Sequence, residues 1–185
     1  IMGNTLSDDI PITIGSPVLN DPNETGFIAS VRRTDLNINY ARYLGGPGTD
    51  YVNSGKLHNG ILYVCGFTYS LGFPVTNGSA PNFDGLDYLD GFYTKLDNAG
   101  NILFSTYLST NELDVINSIE IDNDEIYLVA GTGYNPFNGE RKLILFKFND
   151  NNDLLFSKKI GLGFGAPAQF PLFYKVVNGN FYVSG

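Results

Sequence analysis

A short apolar phrase that ends in glycine occurs four times along the chain. It reads IMG, LYVCG, YLVAG and FYVSG, with closing glycines at positions 3, 66, 131 and 185, so the steps are 63, 65 and 54 residues. A period of this size in a chain rich in β-forming residues indicates a repeat architecture. Because the first and last copies are incomplete, we expect the chain to be an excerpt of a longer array.

Composition sets limits on the class of protein. Hydrophobic residues make up 43% of the chain, with 12 Tyr and 14 Phe, which is enough for a packed core and excludes a disordered chain. The net charge of −8 with only 11 basic residues makes nucleic acid and anionic membranes poor partners. No apolar run approaches the ~20 residues of a membrane span. The single cysteine, Cys65, lies in an apolar strand pattern and is expected to be buried.

Alternation of polar and apolar residues predicts short strands between Gly-, Asn-, Asp- and Pro-rich turns. Each repeat resolves into four strands, which we name A to D in chain order. Strand B is the apolar phrase itself. After each copy of strand A comes Asn-Gly or Asn-Asp, which is typical of a type I′ hairpin turn. The predicted ranges are 51–58, 115–122 and 172–177 for strand A, 27–31, 92–96 and 144–148 for strand C, and 38–44, 102–108 and 154–160 for strand D.

A sheet of four short strands cannot bury both faces alone, but a ring of such sheets around an axis can. The predicted fold is therefore all-β, a β-propeller of four-stranded antiparallel blades, of which about three are covered. The strand order from the axis outward should be A-B-C-D. Residues 1–185 then form part of one domain: strands B to D of one blade in 1–46, full blades in 47–110 and 111–165, and strands A and B of the next in 166–185.

Several phrases together resemble a known repeat. They are DGFYTKLD at 90–97, GN at 100–101, STYL at 105–108, YLGGPGTD at 43–50, the apolar phrase at 62–66, and TYSLGFP at 68–74. They resemble the β-propeller repeat of bacterial and archaeal secreted proteins, often described as seven-bladed. The third copy departs from it, since Lys142 stands in place of Asp90 and the Phe-Pro loop is lost. The resemblance implies a propeller in an extracellular setting and implies no reaction.

An acidic loop and two sequons are candidate sites of modest specificity. Asp84, Asp87 and Asp90 offer oxygens for a peripheral Ca²⁺, with a solvated loop ahead of strand C as the alternative. Asn23 and Asn77 stand in N-x-[ST] patterns and are candidate glycosylation sites of a glycoprotein. No catalytic metal or organic cofactor is expected.

Other acidic residues are interpreted structurally. The NDNND stretch at 149–153 occupies a C–D turn, where Asn and Asp bond to their own backbone. Asp50 and Asp114, each at the start of a strand A, should accept bonds from backbone N–H groups. Glu120 and Asp122 are candidate glycosidase acids by position only. His58, the only histidine, has no nucleophile motif near it in the sequence.

Three charged residues share one position of strand A. Offsets of 64 and 55 align Lys56, Glu120 and Lys175, which alternate in sign. We expect Glu120 to bridge the two lysines between adjacent blades, with separate exposure to channel water as the alternative.

The function favoured by these patterns is an extracellular or cell-surface module for binding or scaffolding, without catalysis of its own. The alternatives are the propeller domain of a secreted polysaccharide-active enzyme and a structural component of a surface layer or filament. The expected partners are the remaining blades of the same chain or a second protein chain, with carbohydrate or a cell-surface protein as candidate ligands.

Overall fold

A computed structural model describes residues 1–15, 23–76, 89–108, 114–132, 140–164 and 173–184. The described part is all-β, as predicted, and holds thirteen strands and no helix. The strands are β1 (Met2–Thr5), β2 (Thr25–Val31), β3 (Ile38–Leu44), β4 (Asp50–His58), β5 (Ile61–Thr68), β6 (Asp90–Leu96), β7 (Ile102–Leu108), β8 (Asp114–Asp122), β9 (Glu125–Thr132), β10 (Glu140–Phe148), β11 (Leu154–Phe164), β12 (Phe173–Val177) and β13 (Asn180–Ser184).

These strands form four sheets in chain order. The first sheet is β1-β2-β3, the second β4-β5-β6-β7, the third β8-β9-β10-β11, and the fourth β12-β13. Every paired neighbour is antiparallel, and the order of neighbours A-B-C-D is confirmed in both four-stranded sheets. Strands β10 and β11 are longer than predicted because their ladder continues to the pair Glu140 and Phe164.

The hairpin turns between strands A and B have the predicted type. Both central residues have positive φ in each copy: 49° and 78° at Asn59 and Gly60, 51° and 60° at Asn123 and Asp124, and 51° and 72° at Asn178 and Gly179. This is the requirement of a type I′ turn, which explains why Asn, Asp and Gly recur there.

Side chains from both faces of the second sheet enter separate cores. On β6, Phe92 packs in the core between the first and second sheets, while the adjacent Tyr93 packs in the core between the second and third. Successive strand residues point to opposite faces, so neighbours in sequence serve different cores. Strand β6 is buried along its whole length, because both of its faces are covered by neighbouring sheets.

Contacts between neighbouring sheets are concentrated on the A-type strands. Strand β4 contacts β8, and β8 contacts β12. A β-bulge at Asn53 interrupts the β4 ladder, and the Asn53 side chain donates a 3.0 Å hydrogen bond to the Ile116 carbonyl of β8. Asn117 marks the same interruption on β8. The bulges therefore fall at the same place in both A strands, where the sheets are joined.

A loop covers the outer edge of the first two sheets. The Thr13 amide donates a 2.9 Å bond to the Ala41 carbonyl of β3, and Thr76 makes the same 2.9 Å bond to Ser105 of β7. Both threonines follow a proline by two residues, in IPIT and FPVT. The third copy lacks this phrase, and residues 154–160 of its outer strand β11 are exposed. The two sheets whose loops carry the Pro-x-Thr phrase thus have a loop bonded to their outer strand, whereas the outer strand of the sheet without the phrase is exposed.

Candidate functional site

The charged residues on the A-type strands meet between sheets. The Glu120 carboxylate lies 3.0 Å from the Lys56 ammonium and 3.9 Å from that of Lys175. Each of the three pairs across its own hairpin with a tyrosine, namely Tyr63, Tyr127 and Tyr182. The common register supports the alignment drawn from the sequence, and the structure brings all three predicted residues together.

These ion pairs contribute more to the alignment of neighbouring A-type strands than to the free energy of unfolding. The Glu120 side chain is 13% exposed, whereas those of Lys56 and Lys175 are 43% and 65% exposed. Solvent screens such pairs, and each contributes only about 0–1 kcal/mol. The opposite charges match β4 to β8 and β8 to β12, so a shifted strand would lose both contacts.

A second set of polar contacts joins the hairpin turns of these sheets. The His58 ring lies 2.7 Å from the Asp124 carboxylate in the turn of the third sheet. Asp122, the counterpart of His58, accepts a 2.9 Å bond from the Gly179 amide in the turn of the fourth sheet. The two candidate acids, Glu120 and Asp122, are therefore both engaged in contacts between sheets.

Asp50 is the centre of a buried hydrogen-bond network at the start of β4. Its side chain is fully buried and accepts hydrogen bonds from the Thr68 hydroxyl, the Ser70 hydroxyl at 2.9 Å and the Gly46 amide at 2.8 Å. Ser70 in turn accepts a 2.8 Å bond from the Gly48 amide. The predicted bond to backbone N–H is thus present, and the GGPGTD and TYS phrases are explained as one structural unit.

Lys95 connects the second sheet to a turn of the third. Its side chain is 5% exposed, and its ammonium donates to the Asp150 carbonyl at 2.7 Å and lies 3.3 Å from the Asp150 carboxylate. Tyr63 donates to the same carboxylate at 3.3 Å. Burial lowers the pKa of Lys95, although Asp150 opposes this effect. Burial, followed by the nearby Asp150, raises the pKa of Tyr63 to about 12. Sequence reasoning missed this cluster, because nothing in the repeat pattern links Lys95 to a turn 55 residues away in the next sheet.

The calcium candidates are only partly described. Asp84 and Asp87 lie outside the described residues, while Asp90 is buried at the start of β6, paired in register with Thr68. Within the described ranges, no group of three or more His, Cys, Asp or Glu side chains is placed to hold a metal ion. Peripheral calcium therefore stays a prediction.

Three predictions remain: the two glycosylation sites, the burial of Cys65 and the 149–153 turn. Asn23 donates a 3.3 Å bond to the Pro47 carbonyl, and Asn77 lies outside the described residues. Cys65 is buried as predicted, and burial raises the pKa of its thiol. In the 149–153 turn, Asn149 accepts a 2.9 Å bond from the Asp153 amide, which confirms the turn interpretation.

No protein-family model and no curated protein matches the chain. In the part of the chain that the structure describes, no helix is long and apolar enough to cross a membrane.

Proposed function

We propose that the chain is part of an extracellular or cell-surface β-propeller that serves as a binding or scaffolding module without catalysis of its own. One observation carries the architecture in this proposal: Glu120 is shared between Lys56 and Lys175, and the three residues come from three successive sheets. Opposite charges occupy the same position of strand A in successive sheets and pair with one another. This arrangement favours an array in which the A-type strands lie side by side around an axis.

The radial arrangement is testable with spin labels in a Cys65→Ala background. One pair at Asn59 and Asn123, equivalent exposed positions of the hairpin turns, reports the inner strands β4 and β8, and another at Leu103 and Leu155 reports the outer strands β7 and β11. Blades that diverge from an axis require the outer pair to be farther apart. Equal separations near the ~10 Å spacing of flat stacked sheets would overturn the propeller.

The structural roles of the acids argue for a module rather than an enzyme. Glu120 and Asp122 make contacts between sheets, so Glu120→Gln should lower stability slightly, and neither the parent chain nor this variant should cut polysaccharide substrates. The measurement is the release of reducing ends from a panel of polysaccharides. New reducing ends that disappear in Glu120→Gln would instead support the polysaccharide-active alternative.

The cellular location needs a separate test in the cells that produce the protein. An antibody against the chain should label intact cells, and protease added outside should remove the label. An antigen that is labelled only after the cells are opened would overturn the extracellular assignment. The repeat resemblance supports this part of the proposal.

A further inference from the structure

The outer strands β3, β7 and β11 correspond residue by residue. A bulge interrupts the ladder between strands C and D at the same place in each of the three sheets. The second residue after the bulge is Ala41 in β3, Ser105 in β7 and Ser157 in β11. The surroundings of this one position can therefore be compared directly between the sheets.

In the first two sheets a threonine from a loop covers this position. The Thr13 hydroxyl accepts a 2.9 Å bond from the Ala41 amide, and the Thr76 hydroxyl accepts a 3.2 Å bond from the Ser105 amide. The amides of both threonines donate to the carbonyls of the same residues at 2.9 Å. One threonine thus bonds to both backbone groups that face away from the sheet, as a neighbouring strand would.

The third sheet has a much shorter connection at the place from which this loop comes. The connection between strands B and C is 19 residues long in the first sheet (6–24), 21 in the second (69–89) and 7 in the third (133–139). Ser157 is exposed, and β11 extends over 11 residues where β3 and β7 have 7. Because the covering loop belongs to the same sheet as the strand it covers, this exposed edge does not depend on where the chain begins or ends.

The residue two positions further along strand D changes together with the loop. It is Tyr43 in the first sheet and Tyr107 in the second, both buried, and each donates to a carbonyl of its covering loop, at 2.7 and 2.8 Å. In the third sheet it is Lys159, which is exposed. Among the described residues, Lys159 has no hydrogen-bond or ion-pair partner. The side chain that binds the loop is thus replaced by a cation without an acceptor.

The adjacent Lys158 is exposed for a different reason. It corresponds to Arg42, whose guanidinium donates a 2.6 Å bond to the Gly100 carbonyl in a turn of the following sheet. Lys158 points in the same way toward the two-stranded fourth sheet. Lys159 points toward the second sheet, since its pair Ile144 packs in the core between the second and third sheets. The exposure of Lys159 is therefore a property of the third sheet's own edge.

We propose that the outer edge of β11 binds an extended segment of a partner protein that carries an acidic side chain opposite Lys159. An uncovered strand edge offers amides and carbonyls with which another strand can pair. A lysine on that edge disfavours apolar strands and is complementary to a carboxylate. A peptide is favoured over an acidic glycan because only a peptide backbone can continue the ladder. The inference rests on the proposed binding function and names the class of partner.

The probe is the fluorescently labelled peptide Thr-Val-Glu-Val-Thr-Val-Thr-Val, titrated into the intact chain. Its Glu lies opposite Lys159 when its central Thr pairs antiparallel with Ser157. We expect one-to-one binding with slower amide exchange at Ser157 and Lys159. A control peptide with Gln in place of Glu should bind about threefold more weakly, the size of one exposed ion pair. No binding of the Glu peptide up to about 1 mM would overturn the proposal.

Charge reversal distinguishes the Lys159 contact from general electrostatic attraction. Lys159→Glu should weaken binding of the Glu peptide about tenfold and strengthen binding of a peptide with Lys in place of Glu. Arg33→Glu, in an exposed turn of the first sheet, changes the net charge equally and should alter neither affinity. Equal effects of the two variants would contradict a site at Lys159.

Ser157→Pro tests the edge itself, because proline has no amide to donate and is tolerated where a strand's N–H faces away from the ladder. It should abolish binding, whereas Ser157→Ala should retain it. If the proline variant does not fold, the charge reversal at Lys159 decides. Self-association of the unmodified chain that Lys159→Glu removes would overturn the proposal, because the occupant would be a second copy. A peptide that fails to bind while the spin labels show a radial array would reject this partner and leave the proposed architecture standing.

Discussion

Lys95 of the second sheet and Lys147 of the third occupy one position of strand C, yet their pKa values shift in opposite directions. Both pair in register with a tyrosine of strand B, Tyr63 or Tyr127. Burial under the Asp150 turn lowers the pKa of Lys95, whereas a 2.6 Å contact with Glu125 raises that of Lys147. The same residue type is a buried connector in a covered sheet and a more exposed ion-pair partner in the third sheet.

The different surroundings of Lys95 and Lys147 have two causes, a residue on the neighbouring strand of the same sheet and a turn of the next sheet. Glu125 of the third sheet corresponds to Ile61 of the second, as each follows the hairpin turn. Lys95 has no carboxylate in that place and reaches the turn of the next sheet. The comparison teaches that the residue beside it on the neighbouring strand and the turn that covers it, rather than the residue type, determine what a repeated lysine does.

The largest effect should come from Asp50, which anchors the second sheet's loop, a loop without a counterpart sequence in the third copy. Asp50→Ala leaves the Thr68 and Ser70 hydroxyls and the Gly46 amide without their acceptor, and should cost about 3 kcal/mol of unfolding free energy. Urea denaturation measures this. As a control, Asp153→Asn in the exposed 149–153 turn should change the value by less than about 0.5 kcal/mol. Equal effects would contradict the structural role of Asp50.

The two lysines give the direct test of the comparison. Lys95→Ala should cost about 2 kcal/mol because a partly buried hydrogen bond from a charged donor is lost. Lys147→Ala should cost about 0.5 kcal/mol, since the Lys147 side chain is 19% exposed against 5% for Lys95 and solvent screens its ion pair with Glu125. Both are measured by urea denaturation under the same conditions. A larger loss of unfolding free energy for Lys147→Ala than for Lys95→Ala would contradict the view that the contact of Lys95 with the Asp150 turn is the stronger of the two.

The outer strands β7 and β11 differ in the same way, since a loop covers β7 and residues 154–160 of β11 are exposed. Thr76→Val removes the hydroxyl that donates to the Ser105 carbonyl at 3.1 Å and accepts from its amide at 3.2 Å. The stability loss should be about 1 kcal/mol, and amide exchange at Ser105 should accelerate toward the rate found along β11. Unchanged exchange would show that the loop does not protect this edge.

The smallest effect should appear in the pH dependence. Hydrogen bonds from Lys147 and Tyr127 lower the pKa of Glu125 below 4.5, so the stabilisation is complete above the unfolded value and is lost as the pH falls through the folded one. Glu125→Gln should therefore flatten the acid side of a stability profile. For Lys95 the sign differs: its lowered pKa makes stability increase as the pH approaches 10.5 from below. Lys95→Met should remove that increase, and an unchanged alkaline profile would contradict the burial effect.

Local chemistry made much of the fold predictable. Asn-Gly turns need positive φ at both central positions, and alternation of period two assigns faces, so the strands, turns and strand order followed from the residues of each repeat. Strand ends were less predictable, as in β10 and β11, because a ladder extends as far as its partner allows. The contacts among Lys56, Glu120 and Lys175 could be predicted because the repeat offsets place the three residues at the same position of strand A.

The sequence by itself determined the four-strand repeat, the buried Cys65 and the alignment of opposite charges, since each depends on spacing within one unit. Only the tertiary structure decided that Asp50 joins two loops, that Lys95 ends on the Asp150 turn, and that Gly66 faces the Tyr51 carbonyl. These contacts link residues that are distant in sequence or belong to different sheets. Their energies depend on burial and on which neighbour covers each face, and a single repeat carries no information about its neighbour.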